Sequence, residues 1–264
     1  MPPANPAKWT GVLETREFGH SAPQSEPGVR RTTSDIGVAA AGLPTEGEDC
    51  LVLNIWTPAV NDGKNRPVMF WCHGGGFASG SGSSPGTDGT NLARRGDVVV
   101  VSINHRLNVL GFTYLAEFGG PEFAQSGDVG MLAIVHALKW VRQNIERFGG
   151  DPNTVTIFGQ SGGGRKVGTL LAMPSAKGLF HRAIIESGPT ISLVEQNQAT
   201  RVAAELVAKP GLNKSEAGEL HGLPVDRIMW AYFDVTRGLK VVAMNLRCSP
   251  AVDGRARTWP SFGA

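Results

Sequence analysis

The run Asp97–Asn104 (DVVVVSIN) restricts the fold of this chain more than any other feature of its sequence. Its four consecutive valines are too few for an ordinary helix, and no polar residue separates them, so both faces of the segment are expected to be buried. Strands buried on both faces are typical of parallel sheets that helices cover on either side. The run therefore predicts a central strand of a layered α/β domain.

The rest of the chain alternates strand and helix patterns as such a fold requires. Apolar runs rich in β-forming residues predict further strands at 51–57, 67–73, 155–159 and 182–186. Helices are predicted at 128–148, 162–172, 193–209 and 225–236, the first from apolar residues spaced three and four apart. We expect an α/β fold with a mainly parallel central sheet flanked by helices. The spacing between elements never opens a clear linker, so residues 1–264 are predicted to form one domain.

Charge and cysteine content argue against several classes of function. The formal net charge is +2 and no block of Lys or Arg occurs, which argues against a nucleic-acid partner. The three cysteines, Cys50, Cys72 and Cys248, lack CxxC spacing and predict neither a metal site nor a disulfide scaffold. No apolar run approaches the ~20 residues that a membrane span needs, and the N-terminus has no apolar signal-peptide core.

The segment Gly159-Gln160-Ser161-Gly162-Gly163 is the most informative motif of the chain. It lies between a predicted strand and a predicted helix, where a GxSxG sequence forms a sharp turn that lifts the serine above the sheet. Small residues at 159 and 163 let the backbone reverse without collision. The motif predicts Ser161 as a nucleophile, with the Gly162 N–H beside the developing oxyanion. The alternative is a turn of small residues that serves only close packing of helix on strand.

A second glycine-rich motif, His73-Gly74-Gly75-Gly76-Phe77, directly follows another predicted strand. Consecutive glycines let several backbone N–H groups turn toward one point, as an oxyanion hole requires, although a merely flexible loop is the alternative. His73 precedes the serine in the chain, so we expect it to support this loop and not to act as a base.

No GxGxxG opens a βαβ unit, and Arg165 and Val167 break the phosphate-loop pattern, so no cofactor is expected.

The order of these motifs resembles that of the type-B carboxylesterases, the cholinesterase-like branch of the α/β-hydrolases. That family carries an EDCLxLN signature, a glycine loop, an NYR…LGF stretch and an FGGDP…GQSxGG stretch around its nucleophile. The similarity runs from about residue 9 to residue 254 and implies an α/β-hydrolase fold. The matching segments are Glu48–Asn54 (EDCLVLN), His73–Phe77, Asn104–Phe112, Phe148–Gly163, His181–Gly188 and Pro250–Gly254.

The resemblance implies a serine ester hydrolase that acts through an acyl-enzyme on Ser161. It implies that Gly75, Gly76 and Gly162 supply the oxyanion-hole N–H groups. The implied substrate is a small-molecule carboxylic ester, and no metal or other cofactor is implied. Arg106 and Asp151 resemble a structural ion pair of the family, and the alternative is that each is an ordinary surface charge.

The sequence departs from this family at both ends. A strand region expected before Trp9 is missing, and the Glu and His that complete the family's catalytic triad have no counterpart after Gly254. We therefore expect a chain truncated at both ends, with a fold incomplete at its N- and C-terminus. After Ser161 only His181 and His221 remain, and neither is expected to act as its base. A non-catalytic fragment, or a pseudoenzyme or binding protein on the same scaffold, is the alternative to an esterase.

The cysteine of the EDC motif bears on the compartment of the protein. Secreted members of the family bridge this cysteine to an upstream cysteine, but no cysteine precedes Cys50 here. By this resemblance Cys50 is a reduced thiol, and a cytoplasmic protein is expected.

Overall fold

A computed structural model describes residues 2–7, 9–29, 45–188, 193–238 and 249–251. Strands and helices alternate along these residues, and short 3-10 helices connect several of them. The strands are β1 (Leu53–Trp56), β2 (Arg66–Cys72), β3 (Val99–Ile103), β4 (Gly150–Gln160) and β5 (Arg182–Glu186). The α-helices are α1 (Thr90–Gly96), α2 (Asn108–Phe112), α3 (Val129–Asn144), α4 (Gly162–Leu171), α5 (Gln196–Ala208) and α6 (Val225–Gly238). The 3-10 helices are Pro85–Thr87, Pro121–Phe123, Ser126–Asp128, Ile145–Phe148, Pro174–Ala176 and Lys214–Gly222.

The five strands form one sheet in the order β1-β3-β2-β4-β5. β2 pairs in parallel with β3 and with β4, and β5 pairs in parallel with β4, whereas β1 runs antiparallel to β3. The sheet is mainly parallel, as predicted. Cys72 at the end of β2 lies opposite Gly159 near the end of β4. The segments that follow these two strands, which carry both glycine-rich motifs, therefore meet at one edge of the sheet.

The core of the molecule lies between this sheet and its helices. All five residues of β3 are buried, which confirms that the valine run forms a strand covered on both faces. The apolar stripe predicted for the long helix packs into the main core, so the apolar face of the helix lies against the sheet. Its buried members are Met131, Ile134, Val135, Leu138, Val141 and Ile145.

The structure departs from the sequence prediction at several boundaries. β4 begins at Gly150, five residues before the predicted strand, because Gly150 lies opposite Arg66. The next pair is Val155 with Val68, so residues 151–154 bulge out of the β2 ladder. The short helices α1 and α2 were not predicted, since five to seven residues are too few to establish a helical period. The sequence also predicts a turn-rich tail over residues 247–264, of which the structure describes only 249–251.

β5 closes one side of the described sheet. It hydrogen-bonds to β4 along one edge, and four of its five residues are exposed. Ile184 in the middle of the strand is 43% exposed, which is unusual because helices ordinarily cover both faces of a parallel sheet. Within the described ranges, no helix has the length and apolar character needed to cross a membrane.

Candidate active site

Ser161 lies at the turn between β4 and α4 in a backbone conformation that L residues rarely adopt. Its φ is +56° and its ψ is −118°, and holding a non-glycine residue there costs about 1–3 kcal/mol. The Ser161 N–H donates to the carbonyl of Glu186 at 2.8 Å, and its own carbonyl accepts from the Arg165 N–H at 3.1 Å. The side chain is exposed, and no described residue forms a hydrogen bond with its Oγ. This is the sharp strand-to-helix turn that the GxSxG motif predicts.

Glycines around this turn let neighbouring segments touch backbone to backbone. A Cβ placed on Gly159 would lie 2.6 Å from the carbonyl oxygen of Cys72, and a Cβ on Gly163 would collide with the same oxygen. A Cβ on Gly188 would collide with the carbonyl oxygen of Ser161. Side chains at these positions would therefore drive apart the strand ends that carry the site.

The glycine loop, residues Gly74–Gly76, follows β2 and lies directly against the start of α4. Gly75 has a φ of +88° and Gly76 a φ of +63°, conformations open to glycine at no steric cost. A Cβ on Gly162 would collide with the backbone of Gly76, so the two backbones are in contact. No described residue accepts a hydrogen bond from the N–H of Gly75 or Gly76, and Gly162, as the first residue of α4, has no acceptor within its helix. The three predicted glycines therefore come together beside Ser161.

His73 supports this loop from inside the protein. It is buried, and its Nδ1 donates to the carbonyl of Gly74 at 2.8 Å. Its ring stacks on that of His105 with the centroids 4.9 Å apart and the planes 10° from parallel. Burial first, and the charge of Lys166 second, hold the pKa of His73 well below its ordinary value, so the imidazole is neutral at pH 7. The structure places His73 under the loop, away from the role of a base.

Gln24 attaches the N-terminal segment to the far end of the same loop region. Its side-chain amide donates to the carbonyl of Gly80 at 3.1 Å and accepts from the Gly80 N–H at 2.7 Å. The backbone N–H of Gln24 is in turn held by the carboxylate of Glu46 at 2.8 Å. The prolines spread through residues 1–47 predict extended, loop-like chain there, but they give no sign of this contact, because it joins residues 56 positions apart.

None of the chain's histidines forms a hydrogen bond with Ser161. His181 accepts the N–H of Val155 through its Nδ1 at 3.2 Å, which places it six residues, or about 20 Å, from the serine end of β4. His221 packs on the ring of Phe123 with centroids 5.0 Å apart. Of the others, His20 bonds to Thr45 at 2.7 Å, His136 lies on α3, and His73 and His105 are the buried pair.

The described ranges also contain no group of three His, Cys, Asp or Glu side chains placed to hold a metal ion.

The expected ion pair between Arg106 and Asp151 is wrong. Arg106 follows the C-terminal end of β3, whereas Asp151 lies at the start of β4, at the opposite edge of the parallel sheet. The carboxylate of Asp151 instead accepts the N–H of Asn153 at 2.8 Å, which stabilises the bulged start of the strand.

Cys50 is buried and unbridged, and burial raises the pKa of its thiol to about 11.

A mainly parallel sheet with an exposed serine at a strand-to-helix turn defines an α/β-hydrolase. The chain belongs to the carboxylesterase family, whose profile matches residues 1–256. It is 39% identical over 252 residues to a para-nitrobenzyl esterase of Bacillus subtilis (strain 168), covering 95% of this chain and 49% of that protein. It is 42% identical over 210 residues to a liver carboxylesterase of Sus scrofa, covering 78% of this chain and 36% of that protein.

A solved structure gives the same result for the fold. The crystal structure of a Geobacillus stearothermophilus carboxylesterase superposes with a TM-score of 0.85 at 41% identity, covering 98% of this chain and 50% of that chain. The chain therefore spans about half the length, or less, of these relatives.

Proposed function

We propose that this protein is a serine hydrolase of small-molecule carboxylic esters that acts through an acyl-enzyme on Ser161. The observation that carries the proposal is the meeting of an exposed serine, held at a φ of +56°, with the uncommitted N–H groups of Gly75, Gly76 and Gly162. In this mechanism the Ser161 Oγ attacks the ester carbonyl and forms a tetrahedral intermediate. The three N–H groups donate to its oxyanion, and one such donor is typically worth about 3–4 kcal/mol of transition-state stabilisation.

The start of α4 supports the same reaction electrostatically. The helix runs ten residues from Gly162 to Leu171, and its positive end faces the space beside Ser161. After the alcohol leaves, water attacks the acyl group on Ser161 and releases the acid. The oxyanion forms again in this second step, so the same donors serve both halves of the reaction. No metal, other cofactor or nucleic acid takes part in the proposed reaction.

The proposed reaction also needs a base, which the described residues do not place at Ser161. In this proposal the base is a histidine oriented by a carboxylate, as the family resemblance implies, and none of the six histidines of residues 1–264 is placed for that role. Without them a serine hydroxyl is a weak nucleophile, and only a small residual rate from the oxyanion hole and binding is expected.

A fluorophosphonate tests the nucleophile directly, because its tetrahedral adduct requires both the serine and the oxyanion donors. In a protein that also supplies the histidine and the carboxylate, intact mass spectrometry is expected to show one adduct per chain, lost in Ser161→Ala, whereas residues 1–264 alone should label only slowly. Ser187 offers a matched control, because it is also exposed and has a φ of +50° but does not begin a helix. Ser187→Ala is expected to keep the adduct, which would exclude backbone strain alone as the cause of labelling.

The lack of a histidine at Ser161 favours a second candidate, a non-catalytic binding protein on the same scaffold. A folded protein that supplies the histidine and the carboxylate yet takes up no adduct at Ser161, but binds a p-nitrophenyl ester without cleaving it, would support this candidate and reject the esterase. For the compartment we retain the cytoplasm, supported by the unbridged Cys50, and cell fractionation tests it.

A further inference from the structure

Lys166 is a buried charged residue near the site that neither the motifs nor the proposed reaction uses. It lies on α4, five residues after Ser161, and its side chain is fully buried at 0% exposure. Lysine is almost never fully buried unless it has a partner, because removing an ammonium group from water is costly. No carboxylate among the described residues pairs with it. An ion pair is therefore not the reason for its position.

The contacts of Lys166 lie at the two ends of the glycine loop. Its Nζ donates to the carbonyl oxygen of His73 at 2.8 Å, immediately before Gly74. The same Nζ lies 5.9 Å from the ring centroid of Phe77, immediately after Gly76, within range of a cation–π interaction. Phe77 is itself fixed in the core by an edge-on contact with Phe112, with the centroids 5.1 Å apart. One side chain thus joins both ends of the loop to α4, the helix that begins beside Ser161.

A role as the base, or as a simple packing residue, agrees less well with these contacts. Lys166 is not placed as the base for Ser161, because its side chain is fully buried with Nζ committed to His73, whereas the Ser161 side chain is exposed. Packing alone does not require a lysine either. A methionine has nearly the same length and would fill the site without a buried charge.

We propose that Lys166 is a positioning residue that holds the glycine loop against Ser161, so that its N–H groups point at the oxyanion. The role in the reaction rests on the proposed function, but the contact itself does not. Hydrogen bonding to the His73 carbonyl fixes the peptide plane from which the loop begins. Gly75 and Gly76 have no side chains to restrict them, so the direction of their N–H groups depends on such anchors at the loop ends.

The variant that tests this is Lys166→Met, compared with Thr169→Val as a matched control. Thr169 lies on the same helix at 1% exposure, and its hydroxyl has no hydrogen-bond partner, so its replacement disturbs a buried position of α4 without touching the loop. The first readout is hydrogen exchange at the amides of Ala78 and Ser79, both of which donate to the carbonyl of Gly75. The second readout is fluorophosphonate labelling of Ser161, resolved into KI and kinact.

In Lys166→Met both amides are expected to exchange about tenfold to a hundredfold faster, the loss typical of a hydrogen bond to a charged donor. The kinact should fall by a similar factor while KI changes little, because the donors act mainly on the transition state. Unchanged exchange and kinact, or an equal change in Thr169→Val, would overturn the proposal. Faster exchange in a protein whose wild type does not label at all would support the loop contact and reject the esterase instead.

The wild-type protein provides a second test that does not depend on a variant folding. The titratable groups that interact with Lys166 are Cys72 on β2, His73 after it and His105 after β3. Burial raises the pKa of the Cys72 thiol to about 12 and holds the pKa of both imidazoles well below 6.5, so these three groups stay neutral from pH 7 to 8.5.

Burial lowers the pKa of Lys166 to about 7, so its ammonium loses its proton across that range. Exchange at Ala78 and Ser79, corrected for the intrinsic rate, is therefore expected to accelerate severalfold from pH 7 to 8.5. A corrected rate that stays constant over this range would count against the proposal.

Discussion

Replacing Gly159 with alanine sets two opposing effects against each other. Removing a glycine from a strand favours folding by about 0.5–1 kcal/mol, because alanine loses less backbone entropy. The added Cβ, however, would lie 2.6 Å from the Cys72 carbonyl oxygen and 2.6 Å from the carbonyl carbon of Gly163. Both atoms are backbone, so neither can rotate away as the end of a flexible side chain would.

The steric effect is expected to be the larger of the two. An ordinary contact of about 3.4 Å requires β2, β4 or the start of α4 to move by about 0.8 Å, and overpacking of this kind costs about 1–3 kcal/mol. The net loss in the free energy of unfolding is then about 1–2 kcal/mol, or a fall in Tm of about 2–6 °C for a chain of this size. The same movement shifts the glycine loop from Ser161, and kinact for phosphonylation should fall by about tenfold to a hundredfold.

Urea denaturation followed by tryptophan fluorescence measures the first quantity, and mass-spectrometric labelling the second. Gly218→Ala is the control, because Gly218 lies in a 3-10 helix with its nearest neighbour, a ring carbon of Phe123, 4.0 Å from the added Cβ. It should stabilise the protein slightly and leave labelling unchanged. A Gly159→Ala variant as stable and as reactive as Gly218→Ala would refute the reasoning, because it would mean that the close backbone contact is not needed.

Three further predictions follow from the buried groups and the loop. The free energy of unfolding is expected to rise by about 1–2 kcal/mol from pH 7 to 8.5, because the pKa of Lys166 is about 7 when folded and ordinarily 10.5, so the unfolded chain binds more protons there. Urea titrations should show no such rise in Lys166→Met. A rise that persists in this variant would mean that a group other than Lys166 causes it. Cys50 and Cys72 should resist iodoacetamide at pH 8 in the folded protein, since burial raises their thiol pKa values to about 11 and about 12; rapid alkylation would contradict their burial. Gly162→Ala should slow phosphonylation of Ser161 at least about tenfold, because its methyl group collides with Gly76, and unaltered kinetics would remove Gly76 from the oxyanion hole.

The sequence was sufficient to predict the sheet and the turn at Ser161, because each rests on local patterns. A run of valines predicts a buried strand without knowledge of its partners, and GxSxG between a strand and a helix predicts the turn. Strand direction is a different matter. Nothing in Leu53–Trp56 indicates that it pairs antiparallel to β3, since pairing depends on how the connecting segment returns. The assignment of residues 1–264 to one domain stays a prediction.

Lys166 shows why part of the site could not be predicted from composition. A lysine in a short helix is ordinarily assigned to the solvent face. One signal was available, since Lys166 falls between Gly163 and Leu170 at spacings of three and four, on the buried face of α4. Its partner, the carbonyl of His73, is 93 residues away in sequence, and only the fold brings the two together. The Arg106–Asp151 pair, which only the family resemblance implied, is wrong because the two residues occupy opposite edges of the sheet.

The positive φ of Ser161 means that stability and the proposed reaction favour different residues at this position. Glycine would be the most stable residue at position 161, so stability alone favours losing the side chain there. Ser161→Ala keeps the unfavourable backbone and removes only the hydroxyl group, whereas Ser161→Gly is free of both. The difference in melting temperature between these two variants would measure the stability the protein gives up to display a side chain at this point. Ser187, with a φ of +50° and no part in the proposed reaction, provides the reference value for a strained serine that carries no such role.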